Sequence, residues 1–84
     1  MTRYRIQTRT VTAGGTELHT SSVILSRQEA IDDVSTTAHL ASLAGWHTRT
    51  RGTGLDVHLV CARPGTIREL TIRESSPFDD TLSH

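Results

Sequence analysis

The stretch 46–74, WHTRTRGTGLDVHLVCARPGTIRELTIRE, decides the fold. It reads as three consecutive strands, 46–51, 55–62 and 67–74, separated by Gly-Thr-Gly and by Arg-Pro-Gly. A two-residue turn at Gly52 and Thr53 predicts Arg51 opposite Gly54. It follows that Trp46 faces Leu59, His47 faces His58, Thr48 faces Val57 and Arg49 faces Asp56. A four-residue loop over 63–66 then predicts Leu59 opposite Leu70, Val57 opposite Ile72, His58 opposite Thr71 and Asp56 opposite Arg73. Apolar residues meet apolar residues in both registers, and a one-residue slip would lose that match. One face of this meander is expected to be core: Trp46, Leu55, Val57, Leu59, Leu70 and Ile72. The other is expected to be polar, with Arg49, Asp56 and Arg73 in one row and His47, His58 and Thr71 in the next.

Upstream, residues 2–12 and 16–25 flank a Gly14-Gly15 hairpin signal. A two-residue loop there pairs Thr8 with Ser21, Ile6 with Val23 and Tyr4 with Leu25, which leaves a good apolar face near the chain start. Towards the tip the pattern fails, because Val11 and Leu18 fall on the opposite face. Either a bulge resets the phase or the tip projects as a polar two-stranded ribbon, and the ribbon is the favoured expectation. The outward residues Arg3, Arg5, Gln7 and Arg9 form a basic stripe with no acid near it until Glu17.

Between the two β regions lies the strongest local signal in the chain. Ser26-Arg27-Gln28-Glu29 has the spacing of a capping box, in which the Ser26 hydroxyl and the Glu29 carboxylate each accept from the other's amide. Leu25 and Ala30 occupy the staple positions. Ile31, Val34, Ala38 and Ala41 then form a narrow stripe of mostly small residues suited to close packing on a sheet, and Gly45 is the expected stop. Leu40 and Leu43 point away from that stripe. The architecture is therefore α+β, in the order β-β-α-β-β-β, with one five-stranded antiparallel sheet and a single helix packed on one face. Strand orders 2-1-3-4-5 and 2-1-5-4-3 both satisfy the pattern. Residues 1–74 form a single domain, and 75–84, with Phe78, Asp79 and Asp80, read as a flexible acidic tail.

Composition narrows the function classes. A chain of 84 residues buries roughly 60–65% of its unfolded surface, so its stability is modest without a partner. Its core leaves no obvious room for a pocket. Formal net charge is zero, which weighs against a general nucleic-acid or anionic-membrane binder. All nine basic residues are Arg, an outcome that G+C-rich coding DNA explains as readily as selection for bidentate recognition. Cys61 is the single cysteine, which excludes an intramolecular disulfide and a Cys-based zinc site; a buried thiol is expected there. Two facing imidazoles, His47 and His58, fall short of the three or four protein ligands that zinc takes. No stretch has the apolar length of a membrane span or of a signal peptide, so a cytoplasmic protein is expected.

No arrangement of Ser, His and Asp assembles a nucleophile, base and orienting acid, and no Gly-rich strand-to-helix loop is present for phosphate. The expectation is a non-enzymatic binding module without cofactor or metal. It would use a sheet face bearing Arg3, Arg5, Arg9, His47, Arg49, Arg51, His58 and Arg73 to hold a protein partner. Self-association as a homodimer through Leu40 and Leu43 is a further expectation, since both are large and off the core stripe. The alternative is a nucleic-acid-binding module that uses the same Arg-rich face, or the ribbon in a major groove. The absence of aromatics from that face counts against base stacking.

Overall fold

The computed structural model describes residues 2–75, so the acidic tail beyond Ser75 lies outside the described residues. Five strands form one antiparallel sheet: β1 (Arg3–Thr12), β2 (Gly15–Thr20), β3 (His47–Arg51), β4 (His58–Arg63) and β5 (Thr66–Ser75). Helix α1 (Arg27–Leu43) lies across one face. The strand order is β2-β1-β5-β4-β3, the second of the two orders that the sequence leaves open. β1 and β5 pair along ten positions, from Arg3 opposite Ser75 to Thr12 opposite Thr66. The first hairpin therefore does not project as a ribbon. Its tip is held by β5, and β2 becomes one edge of the sheet.

The core forms where α1 meets the sheet. Ile6, Leu59, Cys61 and Leu70 rise from three adjacent strands against Ala30 and Val34 of the helix, and all six are buried. Tyr4, Leu25, Ala38, Ala41, Trp46, Val57 and Ile72 pack around them. Small residues at Ala30, Val34, Ala38 and Ala41 let the helix approach closely. The buried line runs through Ala30 rather than Ile31, which is only half-buried at the flank. The capping box forms as its spacing predicts. Glu29 N–H donates to Ser26 Oγ at 3.2 Å, and Ser26 N–H donates to Glu29 Oε1 at 3.0 Å. Those bonds to Ser26, with a smaller contribution from the nearby Arg3 charge, hold the Glu29 carboxyl below its ordinary range.

Two registers differ from expectation. β4 and β5 pair as predicted, with His58 opposite Thr71 and Leu59 opposite Leu70. β3 and β4 are offset by four residues: Thr48 faces Cys61, Arg49 faces Val60, Thr50 faces Leu59 and Arg51 faces His58. The connection is not a two-residue turn. Gly52 and Gly54 both take positive φ (73° and 56°), and a 3₁₀ turn over Gly54–Asp56 absorbs the extra residues. The cause lies at the other end of β3, where the short link from α1 ties Trp46 N–H to the Ala41 carbonyl at 3.0 Å. That contact starts β3 at the end of the sheet, beside Arg63, whose guanidinium carbon stands 4.3 Å from the Trp46 ring centroid.

In the first hairpin, Thr8 faces His19 and Thr10 faces Glu17, two residues away from the predicted pairing. Tyr4 nevertheless meets Leu25 as predicted, in a two-way backbone bridge of 2.8 Å each. The irregular segment 21–24 holds the difference, and the Ser21 hydroxyl occupies the Ile6 amide at 3.2 Å in place of a carbonyl. Two extra residues interrupt the pairing there, and an even number leaves the phase unchanged, so Val11 and Leu18 stay on the outer face and neither the phase-resetting bulge nor the ribbon is found.

Candidate functional site

The sheet has a helix on one side only, so strand alternation sends half of its side chains to an uncovered outer face. Arg3, Arg5 and Arg9 of β1, Arg49 and Arg51 of β3 and Arg73 of β5 all alternate onto that face. His47 and His58 join them. The eight candidate residues thus share one surface, though not in the predicted rows. His47 lies opposite Ala62 and His58 opposite Arg51, so the two imidazoles are not neighbours. Asp56 sits in the 3₁₀ turn and makes no ion pair among the described residues, and Arg73 Nε donates instead to Gln7 Oε1 at 3.0 Å. The Arg49–Asp56–Arg73 row does not exist, because the four-residue offset of β3 removes Arg49 from it.

The predicted basic stripe does meet an acid. Glu69 on β5 is directly opposite Arg9, and its Oε2 lies 3.4 Å from His58 Nε2 on β4. That imidazole nitrogen is shielded from solvent and makes no hydrogen bond, the carboxylate being close but out of line. Arg5 lies directly opposite Arg73, a like-charge pair. Each guanidinium has hydrogen-bond partners of its own: Arg5 donates to the Ser21 carbonyl at 3.1 Å and to Ser75 Oγ at 3.4 Å, and Arg73 donates to Gln7 Oε1.

One end of the outer face is apolar, where the sequence suggests a polar face throughout. Val11, Ile67 and Ala62 form one row across β1, β5 and β4, and Leu18 and Val60 flank it. Ile67 is 45% exposed and Leu18 64%. The signal was present in the sequence as the failing pattern at Val11 and Leu18, once the β1–β5 pairing brings Val11 beside Ile67. His47 continues the row beside Ala62, and Arg9, Arg49 and Arg51 lie to one side of it. Among the described residues it carries no aromatic side chain, for Tyr4 and Trp46 both pack on the helix side.

On the helix side, α1 packs over β1, β3, β4 and β5 and leaves β2 uncovered. A cleft of about 370 Å³ opens there, lined by Thr8, Thr10, His19, Asp33, Thr37 and Arg68 among others. Sequence reasoning missed it, having assumed that so small a core leaves no room. Leu40 and Leu43 are 59% and 72% exposed on the last turns of α1, off the core as predicted. No described helix is long and apolar enough to cross a membrane. Compared with known proteins, the chain matches no family model, no curated protein and no solved structure.

Proposed function

We propose that this chain is a non-enzymatic protein-binding module whose outer sheet face takes an acidic partner that also offers an apolar patch. One observation carries the reading: an uncovered apolar strip, Val11, Ile67, Ala62 and Val60, at one end of an outer face that carries six arginines and, among the described residues, one acid, Glu69. Exposed apolar residues beside arginines, with no lysine, have the composition favoured in protein interfaces. The acids of α1, Glu29, Asp32 and Asp33, lie on the helix side of the sheet, and Glu69 is the one acid on the basic face among the described residues. Such a surface selects an acidic partner and steers its approach. It also disfavours two copies meeting outer face to outer face, since six guanidinium groups would confront six.

Hydroxyl-radical footprinting tests this, comparing the purified chain with the same chain in an extract of the cells that express it. Ile67 and Val60 are expected to be reactive in the purified chain and protected in the extract. The protection should survive nuclease and disappear in a variant carrying Ile67→Asp with Arg9→Glu and Arg49→Glu. Random duplex DNA is the counter-probe, and no binding to it is expected at physiological salt. Binding with a log–log salt slope of about −3 to −4, or protection lost on nuclease treatment, would make this a nucleic-acid interface instead. Absence of any protection would remove the outer face from consideration.

A further inference from the structure

The two sheet edges differ in a way that assigns one of them a partner. In the first hairpin, the Ser21 amide donates to the Ile6 carbonyl at 2.9 Å, which makes Ile6 and Ser21 a hydrogen-bonded pair. Bonded and non-bonded pairs alternate along an antiparallel ladder, so His19 and Glu17 also turn their backbone groups towards β1. Thr16, Leu18 and Thr20 consequently present three N–H and three C=O groups to the free edge. All six residues of β2 are exposed, and the strand carries no proline or internal bulge to blunt it.

The sequence of β2, Gly-Thr-Glu-Leu-His-Thr, is self-complementary about Leu18. A two-fold axis at Leu18 pairs it with Leu18 of a second copy and pairs Thr16 with the second copy's Thr20, and the reverse. All six free backbone groups are then matched. The same register sets Glu17 opposite His19 of the second copy, twice by symmetry. These are non-hydrogen-bonded positions, where facing side chains approach most closely. Moving the axis to Glu17 would oppose two carboxylates, and moving it to His19 would oppose two imidazoles. The other edge, β3, has no such solution. Self-pairing about Arg49 sets guanidinium against guanidinium, and pairing about Thr50 sets Arg49 against Arg51.

We infer that two copies of this chain join through β2, antiparallel about Leu18, into a continuous ten-stranded sheet. The joined edge also completes the cleft on the helix side. His19 already lines that cleft with Thr8, Thr10 and Asp33. In the dimer, Glu17 of the second copy is brought beside His19. The two clefts then form one polar groove over β1 and β2 of both copies, with an α1 helix along each side. This contact is separate from the helical surface at Leu40 and Leu43. It is also read at residues other than Ile67 and Val60, so either reading can fail without the other.

Sedimentation equilibrium with charge-exchanged variants tests it. The wild-type chain is expected to be dimeric at about 100 µM. Glu17→Arg and His19→Glu, both at exposed positions, should each weaken the dimer by roughly tenfold or more. An equimolar mixture of the two variants should restore it as a heterodimer. The arginine introduced in one copy then meets the glutamate introduced in the other, while the unaltered His19 of the first meets the unaltered Glu17 of the second. Leu18→Pro should abolish the dimer while leaving the far-ultraviolet circular dichroism unchanged, since the Leu18 amide faces the free edge. A monomeric wild type, or a mixture no tighter than its components, would overturn the proposal. So would a dimer that resists all three β2 changes and yields only to Leu40→Glu with Leu43→Glu.

Discussion

The helix-facing side of the sheet has two unlike halves, one towards β4 and β5 and one towards β1 and β2. Under α1, Leu59, Cys61 and Leu70 are at most 5% exposed, and Ala30 and Val34 close over them. Towards β2, the same face carries Thr8, Thr10, His19 and Ser21 around an open cleft. The difference follows from the width of one helix. A single α1 covers the central and β3-side strands, and a sheet of five strands extends beyond its reach. Threonine suits the uncovered part, because it holds β geometry while presenting a hydroxyl to water. Stability in this molecule is thus concentrated in one half, and the other half is left open to water.

Removing volume from the covered half should give the largest effect. Leu59 is fully buried at the centre of the core, and Leu59→Ala is expected to cost about 2–5 kcal/mol, a large part of what so small a domain has. Urea unfolding followed by circular dichroism measures it, and a loss below about 1 kcal/mol would mean that the site collapses or is already loose. A polarity change there should be the next largest. Cys61 is 2% exposed between Thr48 and Arg68 in register, and burial pushes its thiol above the ordinary range, against a smaller opposing effect from Arg68. Cys61→Ser keeps the shape but buries a hydroxyl, for about 1–3 kcal/mol. A cost near zero would show that water reaches this half as well.

The same division explains what the sequence could reveal. The capping box, Gly45, the buried Cys61, the β4–β5 register and the helix on one face were all legible, since each rests on local chemistry or on alternation. The misplaced registers were off by four residues in β3 and by two in the first hairpin. Both are even numbers, and alternation has a period of two, so an even slip leaves every side chain on its correct face. This is why six arginines were rightly placed on one surface while the Arg49–Asp56–Arg73 row and the His47–His58 pair were not. Position along a strand depended on tertiary ties invisible in the pattern: Trp46 N–H to the Ala41 carbonyl, and the Ser21 hydroxyl at the Ile6 amide. The apolar outer strip escaped notice because Val11 and Ile67 become neighbours only when the first strand pairs with the last.

The smallest effect belongs to the open half and is the sharpest check on the comparison. Thr10 is half-buried, faces Glu17 on β2 and lines the cleft beside His19 and Thr37. Thr10→Val makes the reverse exchange to Cys61→Ser, replacing a hydroxyl by a methyl group of nearly the same shape. In a dry interior, a hydroxyl left without a partner would be a burden, and its removal would stabilise the fold. In a cleft open to water the hydroxyl is already solvated and the added methyl gains little burial, so the change in stability should stay within about 0.5 kcal/mol. Urea unfolding of Thr10→Val beside Cys61→Ser sets the two ends of one sheet face against each other in a single experiment. A gain above about 1 kcal/mol would mean that α1 closes over β1 and β2 in solution and that the cleft is sealed. A change near zero, with Cys61→Ser costly, locates the boundary between the supporting half and the open half of the face between Leu70 and Thr10.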